Sequence, residues 1–160
     1  MSHCFLNGKV IPLSEARISP MDIGFLRGYA IFEVMRISKG EVFNFDGHMD
    51  RMFRSAEKMK LKVPYTREEI KEIVEDLIKR NKEGSYVRVV LTGGEVVAGM
   101  SYDPEKPTFL VTVEGMGKIS DDYYKNGVKL STVEYERPLF DIKTTNYAVA
   151  VREIPDAQKD

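Results

Sequence analysis

Cysteine is nearly absent from this 160-residue chain. Cys4 stands alone, which excludes an internal disulfide and fits a reducing compartment. Histidine is almost as scarce, and His3, Cys4 and His48 have no metal-ligand spacing, so no metal site is expected. No apolar run approaches the roughly 18 residues that span a bilayer, and the N-terminus lacks a basic stretch followed by an apolar one. A cytoplasmic location with no membrane partner is the expectation. An excess of either charge is missing too: 24 Lys plus Arg stand against 25 Asp plus Glu, for a net charge of -1. That balance speaks against nucleic acid as a partner, because such domains carry a concentrated basic face. Internal repeats and low-complexity tracts are lacking. Gly115-Met116-Gly117 is no nucleotide fingerprint, because it does not sit between a strand and a helix with a third glycine in place.

What is present suits an ordinary globular chain. With 42% hydrophobic residues, it can bury one sizeable core, or a domain plus part of a second. Phe5 to Ile11 holds an Asn7-Gly8 pair, which tolerates the positive φ of a tight hairpin turn. Tyr29 to Ile37 alternates and is rich in β-formers, Lys39-Gly40 makes a turn, and Val42 to Phe45 returns as a partner strand. Asp46 can then cap a helix whose Met49, Met52, Phe53, Ala56 and Met59 fall on one face. After Pro64, Thr66-Arg67-Glu68-Glu69 matches a capping box, and Ile70, Ile73, Val74, Leu77 and Ile78 follow at helical spacing. Tyr86 to Thr92 and Thr108 to Val113 are β-branched runs of one sheet, joined by a glycine-containing loop.

Beyond Val113 the character shifts. Gly115, Gly117, Ser120, Asp121 and Asp122 read as a linker, and Gly127 to Val133 as new β structure. The expected class is α+β. Residues 1–117 would form a small domain with an antiparallel sheet and two helices, and residues 118–160 the opening strands of a second, β-rich domain.

Several side chains point to chemistry. Lys143 ends the run Phe140-Asp141-Ile142 and precedes Thr144-Thr145-Asn146-Tyr147. A lysine amine attacks a carbonyl only when neutral, so such a role needs a partly dry pocket or a neighbouring cation. Arg51 lies in the early turns of the first long helix, where a guanidinium can bind phosphate oxygens bidentately. Tyr86 and Arg88 share one strand face and together suit a substrate carboxylate. Arg27 offers a second carboxylate binder, Phe32 would form an apolar wall, and Glu33 points the other way as an ion-pair or hydrogen-bond partner.

Asp22 to Glu33, His48-Met49-Asp50-Arg51 with Ser55-Ala56, Tyr86-Val87-Arg88 and Lys143 to Tyr147 occur in an order and at separations that carry a resemblance. The chain resembles the fold-type IV pyridoxal-phosphate enzymes: branched-chain and D-amino-acid aminotransferases and aminodeoxychorismate lyase. Members of that family are much longer. The resemblance implies pyridoxal 5'-phosphate as cofactor, held as a Schiff base on Lys143, which then shuttles a proton between substrate and cofactor. It implies Arg51 at the cofactor phosphate, Tyr147 at its phenolic oxygen, and Arg27, Phe32, Tyr86 and Arg88 around the substrate. Many relatives have a tyrosine where this chain has Arg27, which puts branched-chain specificity in doubt. The implied activity is transfer of an amino group between an amino acid and a 2-oxo acid, in a homodimer. Two alternatives stay open: the lyase branch of the same chemistry, and a catalytically incomplete module, either a truncated fragment or one half of a split enzyme that needs a complementing C-terminal chain. The Tyr86 and Arg88 pair leans towards transamination.

Overall fold

The computed structural model describes residues 2–82, 84–117 and 119–157. Strand β1 (His3–Leu6) turns back through Asn7 and Gly8, with φ of 46° and 90°, into β2 (Lys9–Pro12). These are the left-handed values that the Asn-Gly pair supplies at low cost. A short helix α1 (Ile23–Arg27) follows, then β3 (Ala30–Ser38), β4 (Glu41–Val42), α2 (Phe45–Lys58) and α3 (Arg67–Arg80). Strand β5 (Tyr86–Thr92), a small hairpin of β6 (Val96–Ala98) and β7 (Ser101–Tyr102), and β8 (Thr108–Glu114) complete the first region. The remaining helices are α4 (Asp121–Asn126) and α5 (Ala148–Ala157).

Six strands form one antiparallel sheet in the order β2-β1-β8-β5-β3-β4. Period-two alternation sends Ile31, Met35, Val87, Val89, Leu91, Phe109 and Val111 to one face. There they meet Met49, Met52 and Ala56 of α2 and Ile70, Val74 and Leu77 of α3, all at most 2% exposed. Each such large side chain contributes roughly 1.5–3 kcal/mol by leaving water. The expected apolar stripes of both helices are therefore the stripes that pack. Helix α3 begins as its sequence predicts: Thr66 Oγ1 accepts from the Glu69 amide at 3.2 Å, and Glu69 accepts from the Thr66 amide at 2.7 Å.

Three local expectations are corrected. Phe45 does not end a strand: β4 stops at Val42, and α2 starts on Asn44 in a left-handed conformation, with Asp46 in the first turn instead of at the cap. The segment from Gly93 to Pro104 is a two-stranded hairpin with a long return. It is pinned where Gly94, at φ 80°, lies so close to the Lys106 carbonyl that a Cβ would stand 2.0 Å from that oxygen. Residues 128–137 carry no strand, and the linker-like stretch holds α4 instead, capped by Ser120 through the Asp122 amide. Strand-like composition needs a partner edge to become a strand, and the apolar residues Val128, Leu130 and Val133 are exposed here.

Candidate active site

Lys143 is delivered by strand pairing. Phe32 N donates to the Lys143 carbonyl at 3.0 Å, Thr145 N donates to the Ala30 carbonyl at 3.1 Å, and Ile31 and Thr144 form an antiparallel bridge. The chain thereby lies along the outer edge of β3. Ile142 and Thr144 turn inward, 4% and 5% exposed, so the intervening Lys143 side chain projects the other way. Its Nζ stands 4.3 Å from the centroid of the Phe32 ring and 3.4 Å from Tyr147 Oη. Tyr147 meets Phe32 edge to face at 5.6 Å. The amine thus sits half-buried between an aromatic floor and a phenol, on the same sheet face as Tyr86 and Arg88.

Two further contacts fix this loop, and neither was legible in the sequence. Arg137 donates from Nη2 to the Ile142 carbonyl at 2.9 Å while its guanidinium lies 5.4 Å from the Tyr147 ring centroid. Lys58, near the end of α2, pairs with Asp141. Asp141 is held below the ordinary carboxylate range chiefly by that lysine. Lys58 and Asp141 are far apart in the chain, so local pattern carries no signal for that pair, and the Arg137 contact rests on a turn conformation that composition does not announce.

Arg51 projects from α2 towards the same edge of β3. Its Nε and Nη2 donate to the two oxygens of Glu33 at 2.6 and 2.5 Å. Glu33 is fully buried on the packed face, and His48 Nδ1 lies 2.8 Å from its second oxygen. Glu33 is therefore the hydrogen-bond partner its position on β3 implied. A carboxylate inside a core requires such donors, because leaving it unpaired would cost several kcal/mol. The bond to Glu33, opposed by burial and helped by the charges of Glu33 and Tyr147, keeps the Arg51 guanidinium above its ordinary value. A guanidinium has five N–H groups; Glu33 takes two, Nη2 also lies 3.5 Å from His48 Nδ1, and the two on Nη1 stay uncommitted among the described residues. The Arg51 side chain is 43% exposed along that side.

On the open sheet face, Tyr86 and Arg88 already hold a carboxylate. Register places Tyr86 opposite Glu114 and Arg88 opposite Thr112. Tyr86 Oη donates to Glu114 at 2.6 Å, Arg88 Nε and Nη2 donate at 2.9 and 3.2 Å, and Thr112 Oγ1 donates at 2.6 Å. Burial pushes the Glu114 carboxyl up, but the donors Arg88, Thr112 and Tyr86 and the charge of Arg88 outweigh it and hold the group at about 2. Glu114 was not among the expected site residues. Its signal was the strand position directly across from Tyr86, visible only once β5 and β8 are paired.

Arg27 behaves differently. It is exposed at the end of α1 and donates to the Leu26 carbonyl, and among the described residues no contact joins it to Lys143. Tyr29 also turns away, with its hydroxyl on the Met59 carbonyl and 3.3 Å from the Tyr102 hydroxyl. Burial first, then Tyr102, pushes its phenol up to about 12.

Lys143, Tyr147, Phe32 and Arg51 thus converge at one edge of the sheet, with Tyr86 and Arg88 further along its open face. The chain is similar to known proteins in both sequence and fold. The model of the amino-transferase class IV family matches residues 30–160. The D-alanine aminotransferase of Staphylococcus haemolyticus is 33% identical over 150 residues, covering 91% of this chain and 53% of that protein. The D-alanine aminotransferase of Staphylococcus aureus strain N315 is 33% identical over 149 residues, again covering 91% and 53%. The chain spans about half the length of these curated relatives. Its fold superposes on the branched-chain amino acid aminotransferase of Escherichia coli with a TM-score of 0.84 at 19% identity, covering 99% of this chain and 56% of that one. The branched-chain aminotransferase of the archaeon Thermoproteus uzoniensis, solved with norvaline, gives 0.65 at 24% identity over 73% of this chain and 41% of that one. The α+β architecture, the position of Lys143 and these matches lead to one statement: this chain belongs to the class IV aminotransferase family.

Proposed function

We propose that this chain carries the lysine-bearing part of a pyridoxal-phosphate-dependent aminotransferase, which moves an amino group between an amino acid and a 2-oxo acid. One observation supports it above the rest: the Lys143 amine lies over Phe32 and within 3.4 Å of Tyr147 Oη, with the Arg51 guanidinium at the same sheet edge.

The residues present fit the cofactor. The Nη1 N–H groups of Arg51 suit phosphate oxygens, and Glu33 orients the guanidinium through its other edge. Tyr147 Oη is placed to donate to a ring oxygen near the amine. When bound, pyridoxal phosphate supplies an aldehyde carbon and an electron sink. Lys143 Nζ would take the proton from the substrate α-carbon and pass it to the cofactor side, a role that requires an amine held close and partly dry. Phe32 excludes water from below, and the Arg88 guanidinium, with Tyr86 beside it, receives the substrate carboxylate. Arg27 has a place in this reading only as a residue presented to a neighbouring subunit.

The same proposal covers the division into a domain of residues 1–117 and the start of a cofactor-binding domain at 118–160, a cytoplasmic location, and a homodimer. The half-length match to relatives favours a second reading beside it, in which a complementing chain supplies further cofactor contacts. Borohydride reduction in the presence of pyridoxal phosphate, followed by peptide mass mapping, tests the central claim. The expected result is a reduced adduct on Lys143. Adducts spread over surface lysines with none on Lys143 would refute it.

A further inference from the structure

Arg88, on the candidate substrate face, has its side chain held by a carboxylate on the neighbouring strand. Glu114 receives four hydrogen bonds, two of them from Arg88, one from Tyr86 and one from Thr112. Both strands are rigidly registered over seven residue pairs, so the carboxylate has a fixed origin. Arg88 is 37% exposed and Glu114 30% exposed, which leaves the outer edge of the guanidinium open. Nε and one hydrogen of Nη2 are committed to Glu114 and the guanidinium also bonds Tyr86, which leaves further N–H groups on a side chain that is part-exposed. A free arginine side chain samples many rotamers, and binding an acid would have to freeze them. Here the freezing is already done by Glu114, and the same carboxylate holds the Tyr86 hydroxyl beside the guanidinium.

We propose that Glu114 is a positioning residue for carboxylate recognition: it locks Arg88 and Tyr86 into one unit whose outward guanidinium edge receives the substrate acid. This rests on the reading that Arg88 meets the substrate carboxylate. No charge accumulates at the unit, because Arg88 and Glu114 neutralise one another. Recognition therefore depends on direction, not on net attraction, and a misdirected guanidinium loses most of it.

The test uses the full chain without cofactor and 2-oxobutanoate as the probe acid, with binding followed by calorimetry. In parallel, the Arg88 Nε–H resonance reports how tightly that group is held, and it is assigned by its loss in Arg88→Lys. Glu114→Gln is expected to weaken binding about tenfold, the worth of one well-directed charge-assisted hydrogen bond. It should also speed exchange of the Arg88 Nε–H with water. In an Arg88→Lys background the same change should have no further effect, since Glu114 acts through Arg88. Losses that multiply in the double variant would overturn the proposal, as would a Glu114→Gln chain that binds the acid as tightly as the parent. If Glu114→Gln fails to fold, Thr112→Val takes its place, with a twofold to threefold loss expected and no loss overturning the proposal. An Arg88→Lys chain that binds like the parent, or a parent that does not bind, sinks the underlying reading of Arg88 instead.

Discussion

Two regions of this chain bury their apolar residues to very different extents. Between His3 and Glu114, large side chains of five strands and two helices interlock, and Ile70, Leu77, Val89, Leu91 and Phe109 have no exposed surface. After Glu114, the apolar residues Tyr124, Leu130 and Phe140 are 76%, 82% and 83% exposed, and among the described residues burial returns only at Ile142 and Thr144. Those two residues are where the chain lies against β3. The second region is held around Lys143 because it borrows an edge of the first. Lys143 owes its position to a neighbouring sheet, not to a core of its own region.

That contrast can be broken by changing either side of it. Lys143→Ala should remove the trapped cofactor adduct and lower transamination by at least about 10^3-fold, while leaving the urea midpoint almost unchanged. A large loss of stability would mean that the lysine is a packing residue. Next in size, Leu77→Ala should cost about 2–5 kcal/mol in urea unfolding, whereas Leu130→Ala should stay within about 0.5 kcal/mol. Similar costs for the two would erase the distinction between the regions. Ile142→Ala lies between them: about 2 kcal/mol is expected, together with a lower yield of adduct on Lys143, because the same side chain fastens the loop.

Acid should act on the first region through Glu114. Its carboxyl is held at about 2, below its value in an unfolded chain, so its contribution is present above the ordinary Glu range and is lost as the pH falls towards about 2. Urea midpoints of the parent and Glu114→Gln should therefore differ near neutrality and converge as the pH drops from about 4.5 to 2. Parallel curves would show that the carboxylate gains nothing from its donors. The smallest effect belongs to a helix end, where Thr66→Ala should cost about 1 kcal/mol by removing the side-chain cap of α3.

Much of the first region was readable without coordinates because its signals are local. The stripe of Met49, Met52 and Ala56 and the capping box at Thr66 each depend on residues within a few positions of one another. The start of α2 was misplaced because Asn44 adopts a left-handed conformation that frees Phe45 to enter the helix, and propensity favours neither choice strongly. In the candidate site, Lys143 was visible at the end of its apolar run, Tyr147 through the family resemblance, and Tyr86 and Arg88 through alternation along one strand. The carboxylates behind the two arginines were harder to see. Glu33 was recognisable as pointing away from Phe32 towards some polar partner, but its grip on Arg51 depends on where α2 crosses β3, and Glu114 meets Arg88 only through strand register. The expected strand from Gly127 to Val133 failed for a related reason, since among the described residues no edge lies beside it to accept its backbone.

The pairing of Thr144 with Ile31 also sets an order of events during synthesis. Strand β3 leaves the ribosome long before the segment that carries Lys143, and the helices that cover it follow soon afterwards. A nascent chain can therefore complete its first core and then wait, with one rim of β3 unclaimed, until the late segment arrives and zips on. The Lys143 amine takes its place only after the strand it lies against has been made.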